Sequence, residues 1–291
     1  MKKRFGWWTL IVILVLVIGG FGWRSIHRAQ AAKKYVDSTT PTIFVHGWGS
    51  SYRAERQMAN YAKEQGVTNT IVWVNVAKSG KVTWHGTIKK GAKNPIIEVN
   101  LADNKSVSGR ESDVASAYSK SSDYVKDVVD SMQSKYHFKS MNLVGHSMGN
   151  LQIAYYIMNN ANDPKMPTLR HQVAIAGHFN GLTMEPGVKG ITVNKQTGEP
   201  SKMLPEYKGL LNLRNVYPTS ARVLNIYGDL QDGSHSDSQV PVNAAKAYKY
   251  LVAGRAKSYQ EKQINGKMAQ HSKLHENKQV DRLLVDFLWV K

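Results

Sequence analysis

The chain contains no cysteine. Disulfides, thiolate nucleophiles and Cys-based zinc sites are therefore excluded, and whatever stabilises the fold must come from packing and hydrogen bonding. Its ten histidines show no H-E-x-x-H or comparable ligand spacing, so neither a metal nor an organic cofactor is implied. Acidic residues are scarce, with 21 Asp and Glu against 39 Lys and Arg, for a formal charge of +18. That excess suits an anionic partner, but the basic residues are dispersed and no nucleic-acid-binding motif accompanies them. An anionic envelope polymer or a solvated basic surface is the expectation, and nucleic acid is not. There is no internal repeat. With 42% hydrophobic residues in 291, the chain can bury one large core.

The one long apolar run is at the N-terminus. Phe5 to Trp23 carries no charge. As a helix it would span roughly 28 Å, close to the hydrocarbon thickness of a bilayer. Lys2, Lys3 and Arg4 precede it, and Trp7, Trp8 and Trp23 sit near its ends, where indole rings favour the interface. The expected organisation is a cytoplasmic stub (1–4), a transmembrane anchor or uncleaved signal (5–23), a polar linker (24–40) and a globular domain (41–291) on the extracytoplasmic side. Secretion after cleavage near Ala29-Gln30-Ala31 is the alternative.

Beyond the linker, apolar strands alternate with amphipathic helices. Strands are expected at 41–45, 71–76, 141–144, 172–176 and 222–227. Helices are expected at 51–65, 112–137, 151–158, 244–252 and 280–288. The alternation implies an α/β fold, a mainly parallel sheet with helices on both faces. Two stretches interrupt it. Residues 78–110 hold two strand-like segments, Val82–His85 and Ile96–Leu101, and read as a β-hairpin insertion. Residues 180–220, rich in Gly, Pro, Lys and Thr, read as a second insertion, a small cap over a site.

Gly145-His146-Ser147-Met148-Gly149 follows an apolar strand and opens an apolar helix. This is the context a G-x-S-x-G nucleophile elbow requires: the serine is presented on a sharp turn, and the glycines leave room for the neighbouring backbone. A serine hydroxyl needs a base, and the base an orienting carboxylate. On such a fold the chain order is Ser, then acid, then His. The acid candidates are Asp229, Asp232 and Asp237, after the strand ending at Tyr227. The base candidates are His271 and His275, shortly before the final helix. Asp229, Asp232, Asp237 and His235 could together hold a cation, although a polar turn is the simpler account.

Four motifs carry a resemblance over about residues 40–290: His46-Gly47-Trp48-Gly49, the elbow at 145–149, Ser236-Asp237-Ser238-Gln239-Val240-Pro241, and His271-Ser272-Lys273-Leu274-His275-Glu276-Asn277. In these the chain resembles α/β-hydrolases of Gram-positive bacteria, a family of unknown function associated with the cell surface, and more distantly bacterial lipases. The resemblance implies Asp237 as the acid, from its Asp-x-x-Val segment, with Asp229 as the alternate. It implies His271 as the base, from Leu274 and Val280 downstream, with His275 as the alternate. It also implies that the backbone amides of Trp48 and Met148 form an oxyanion hole, with His46 bracing the loop. The expected activity is hydrolysis of an ester in a small molecule or lipid, with an amidase or peptidase, or a non-catalytic envelope-binding protein, as alternatives.

Overall fold

A computed structural model describes residues 12–13, 29–108 and 113–291. The expected stub and membrane span therefore lie outside the described residues, apart from Val12 and Ile13. Among the described residues no helix is long and apolar enough to cross a membrane. The second half of the expected linker is packed onto the domain: Ala31 and Tyr35 are buried, and the Val36 amide donates to the Trp289 carbonyl at 2.8 Å.

In chain order the elements are β1 (Thr42–Val45), α1 (Arg56–Glu64), β2 (Ile71–Val76), β3 (Val82–His85), β4 (Ile96–Leu101), α2 (Val114–Ser121), α3 (Asp123–Tyr136), β5 (Ser140–His146), α4 (Met148–Asn159), β6 (Thr168–Ile175), α5 (Pro205–Gly209), α6 (Leu213–Val216), β7 (Arg222–Asp229), α7 (Val242–Lys246), α8 (Tyr248–Val252), β8 (Ser258–Asn265) and α9 (Lys278–Trp289). The strands form one sheet in the order β3-β2-β4-β1-β5-β6-β7-β8. All neighbours are parallel except β2 and β3. This is the α/β-hydrolase architecture.

Strand alternation distributes the core between two faces. Ile43 and Val45 join the cluster beneath α3, α4 and α8, whereas Phe44 between them joins the cluster formed with α1 and α9. Helix α4 is buried on every side from Met148 to Ile157, which explains why its sequence is apolar all round rather than striped.

The expected hairpin of Val82–His85 with Ile96–Leu101 does not form. β3 pairs antiparallel with β2, so the hairpin is β2–β3. β4 is a central strand, parallel to both β1 and β2. Ile96, Ile97, Val99 and Leu101 are all buried, the signature of a strand covered on both faces. Glu98, also buried, is neutralised by Arg56, whose Nε donates to both carboxylate oxygens at 2.8 Å. The helix expected over 112–137 is broken at Ser122, whose hydroxyl bonds back to the Ser119 carbonyl. The 244–252 helix is likewise two short helices, α7 and α8.

Candidate active site

The site lies at the C-terminal edge of the sheet, where ligand and catalytic groups of open parallel sheets gather. Ser147 follows β5 directly and opens α4. Its φ of 51° and ψ of −123° are costly for a residue with a Cβ, and the surroundings hold it there. Its amide donates to the Ile175 carbonyl at 3.0 Å, and Asn150 Nδ2 donates to the same carbonyl at 2.8 Å. The flanking glycines are required for space. A Cβ on Gly149 would lie 2.3 Å from the Val45 carbonyl oxygen, and one on Gly145 would lie 2.6 Å from Asn150 Oδ1.

His271 opens a 3₁₀ turn, His271–Glu276, after β8. Its Nε2 lies 2.9 Å from Ser147 Oγ, and its Nδ1 lies 2.8 Å from Asp237 Oδ2. Because a carboxylate can only accept, Nδ1 carries the proton and Nε2 is left to accept from the serine hydroxyl. The backbone is tied as well, with the His271 amide donating to the Asp237 carbonyl at 2.8 Å. The second oxygen of Asp237 accepts from the Gln239 and Val240 amides at 2.9 and 2.7 Å. All three side chains are buried.

The alternates sit elsewhere. Asp229 accepts from the Gln231 amide at 2.9 Å and lies 3.7 Å from His235 Nδ1, making no bond to His271. Asp232 is exposed and accepts from the Ser234 amide. His275 stands edge-on to His146, ring centroids 4.9 Å apart, and not against Ser147. Among the described residues no three His, Asp or Glu side chains are disposed to hold a metal ion.

The loop after β1 passes very close to the serine. A Cβ on Gly47 would lie 2.9 Å from that of Ser147. His46 braces this loop: its Nδ1 donates to the Gly47 carbonyl at 2.8 Å, and its Nε2 accepts from the Leu101 amide at 3.1 Å. Burial lowers its pKa, keeping it neutral and able to do both. Trp48 is half exposed, its indole N–H bonded to the Val107 carbonyl and its ring beneath the Lys105 ammonium. Among the described residues neither the Trp48 nor the Met148 amide donates to a protein carbonyl.

Sequence reasoning missed His146. Its Nε2 donates to the His271 carbonyl at 3.0 Å, so it holds the backbone of the histidine that faces Ser147. Burial, with His271 and His275 nearby, pushes its pKa well below the usual range, and it packs as a neutral ring. The only local signal was its place inside the elbow motif. Tyr118, inside the helix expected over 112–137, and His178, which no motif singled out, also meet at this end of the sheet, 2.8 Å apart.

The comparisons agree with this architecture. The family model described as "Alpha/beta hydrolase of unknown function (DUF915)" matches residues 29–291. The chain is similar to the solved product of gene lin2722 from Listeria innocua, with 28% identity and a TM-score of 0.75, covering 86% of this chain and 94% of that one. It is also similar in fold to a "putative cell surface hydrolase" from Lactobacillus plantarum WCFS1, with 21% identity, a TM-score of 0.63 and coverage of 86% and 89%. No curated protein matches the chain. Matched over its whole globular part, this chain belongs to the α/β-hydrolase family of unknown function.

Proposed function

We propose that the protein is a serine hydrolase that cleaves carboxylic esters through an acyl-enzyme, with Ser147 as nucleophile, His271 as general base and acid, and Asp237 as the group that fixes the imidazole tautomer. The single observation that carries this reading is the unbroken hydrogen-bond chain from Ser147 Oγ through His271 to Asp237 Oδ2. Nε2 takes the serine proton as Oγ attacks the ester carbonyl. The oxyanion is received by the amides of Trp48 and Met148, each worth roughly 3 kcal/mol in a water-excluded site. The protonated His271 gives its proton to the departing alcohol. It then draws one from water, which hydrolyses the acyl-enzyme.

The same reading places the domain on the extracytoplasmic side of the cytoplasmic membrane, tethered by residues 5–23. What supports it is the uncharged sequence of that run, together with a groove of about 460 Å³ at the opposite end of the sheet. The groove is lined by Thr39 and Thr40, where the chain enters the domain, and by Lys89, Lys90, Lys135 and Lys139. A basic surface at the point of attachment suits anionic headgroups.

The test is activity profiling of the full chain over short p-nitrophenyl esters, thioesters and anilides, with fluorophosphonate labelling. Turnover is expected on esters and both signals are expected to vanish in Ser147→Ala. Labelling that survives the substitution would sink the proposal. Turnover confined to anilides would move the substrate class to amides.

A further inference from the structure

Four polar side chains at the catalytic end of the sheet have no part in the chemistry above: Tyr118, His178, Glu185 and Glu206. They converge from three segments. Tyr118 comes from α2. His178 lies three residues beyond β6, the strand whose last carbonyl anchors Ser147. Glu185 lies against the turn that follows, with Oε2 3.1 Å from where a Gly181 Cβ would stand. Glu206 lies in α5, and its position is pinned to the same turn. Asn180 Nδ2 donates to the Lys202 carbonyl at 2.8 Å, Asn180 Oδ1 accepts from the Leu204 amide at 2.9 Å, and Tyr155 donates to the Glu206 carbonyl at 2.9 Å. The turn is also tied to the loop of Asp237, since the Thr183 amide donates to the Gln239 carbonyl at 2.8 Å. The group thus forms a wall at the C-terminal end of the sheet, tied to the loop that carries Asp237.

The wall is chemically incomplete. Glu206 is 4% exposed, yet its Oε1 has no hydrogen-bond partner. His178 is equally buried. One ring nitrogen is bonded to the Tyr118 hydroxyl at 2.8 Å, and the other, Nδ1, has no partner. Among the described residues neither Glu185 nor Glu206 is in an ion pair. Burying a carboxylate without a counter-charge is expensive, and the buried Glu206 has a second, half-buried carboxylate, Glu185, near it. Burial, with Glu185 adding to it, raises the Glu206 carboxyl to about 7. The two carboxylates are also felt at the Tyr118 hydroxyl, and His271 is felt at His178. Burial lowers His178 to about 3, so it stays neutral and adds no positive charge. What the wall lacks is a cation with several N–H groups. The His178, Glu185 and Glu206 side chains are not disposed to share a metal ion, whereas an ammonium bonds at the longer distance of about 2.8–3.0 Å and need not touch every group to be held by the charge.

The geometry points to a cation subsite beside Ser147, in which Glu206 and Glu185, with the His178–Tyr118 pair, receive the ammonium group of an amine-bearing ester such as an α-amino acid ester. The inference rests on the ester-hydrolase reading and narrows its substrate class. Removing one carboxylate from a charge-assisted contact of this kind costs roughly tenfold to a hundredfold.

The test compares two near-isosteric substrates on the full chain, the p-nitrophenyl esters of alanine and of isobutyric acid, which differ by an ammonium for a methyl. The kcat/KM ratio of alanyl to isobutyryl ester is expected to fall at least tenfold in Glu206→Gln. It should fall less in Glu185→Gln, and stay within twofold in Glu199→Gln, an exposed carboxylate that controls for overall charge. Calorimetry on the Ser147→Ala protein measures the subsite without turnover. Alanine methyl ester should bind at least tenfold more tightly than methyl isobutyrate, and Glu206→Gln or Glu185→Gln in that background should abolish the difference. Hydrolysis of the neutral ester with a ratio unmoved by either substitution overturns the subsite and leaves the hydrolase reading intact. Absence of turnover and of fluorophosphonate labelling overturns the hydrolase reading. The calorimetric comparison then decides the subsite alone, and equal binding of the two methyl esters overturns it.

Discussion

The two ends of the sheet are built from the same strands and differ in almost everything else. At the C-terminal end Ser147, Ala176, Gln231, His235 and Ser238 have positive φ, against Asn94 and His137 at the N-terminal end, and Glu55, His146, His178, Glu206, Asp237, His271 and Asp281 are buried. At the N-terminal end the groove around Lys89, Lys90, Lys135 and Lys139 has no acidic side chain in its lining, and its charges stay in water. Strain and desolvated charge persist only where surrounding structure over-determines them. The buried charges and most of the strained residues gather at the end where the proposed triad lies.

The largest expected contrast is in turnover. Ser147→Ala or His271→Ala lowers kcat on a p-nitrophenyl ester by about 10⁴ or more, and Asp237→Asn by about 10³–10⁴ because the wrong tautomer then faces the serine. Stopped assays on each purified variant, with thermal melts as a control for folding, read this directly. A variant retaining a tenth of the activity would break the assignment of that residue.

Glycines sharpen the contrast in stability. Gly149→Ala drives a methyl onto the Val45 carbonyl oxygen and should cost about 3 kcal/mol or more. Gly91, near the basic groove, has φ +76° with nothing within 4 Å of its absent Cβ, so alanine there costs only about 1 kcal/mol of left-handed strain. Urea titration of both proteins measures the difference. Equal midpoints would mean that the elbow is looser than its distances suggest.

A smaller effect separates the ends by pH. Burial raises the Asp281 carboxyl from 3.8 to about 6, against the opposing hydrogen bond from Gln57. Between these values the folded state holds a proton that the unfolded chain has lost. Stability therefore falls as pH rises through about 4 to 6, and the deficit persists above it. Asp281→Asn removes the deficit, so its Tm should exceed that of the parent by a few degrees at pH 8 and match it near pH 4. A Tm gain that is the same at both pH values would overturn the titration account.

How much of this could be read in advance follows from how local each signal is. The elbow is five consecutive residues between a strand and a helix, and its context was visible. Asp237 and His271 carried short motifs that favoured them over Asp229 and His275. The partner of β4 was not legible, because Ile96–Leu101 shows that a strand exists and not which strands flank it. The Glu98 charge also hid the fact that the segment is buried on both faces. β8 was expected somewhere before the last helix but could not be located, since Ser-Tyr-Gln-Glu-Lys-Gln-Ile-Asn is a polar edge strand with little buried beyond Ile264. His146, His178 and Tyr118 owe their positions to segments far apart in sequence, and no spacing rule links them.

The least expected change is at the basic end. Replacing Lys89, Lys90, Lys135 and Lys139 together with Gln removes four positive charges from the groove. Among the described residues only Lys135 of the four has ring partners, its ammonium 5.1 Å from the Trp84 ring and 5.3 Å from the Tyr136 ring, contacts worth about 0.5–1 kcal/mol at an exposed site. The quadruple variant should therefore melt within a few degrees of the parent. It should also hydrolyse a water-soluble ester with kcat/KM within about twofold, because exposed charges more than a Debye length apart, roughly 8–10 Å, are largely screened. A tenfold loss on that ester would show that the two ends are coupled through the sheet. Unchanged turnover alongside weaker, salt-sensitive docking of the domain on anionic bilayers would assign the lysines to the surface that faces the membrane, leaving the catalytic edge turned away from it.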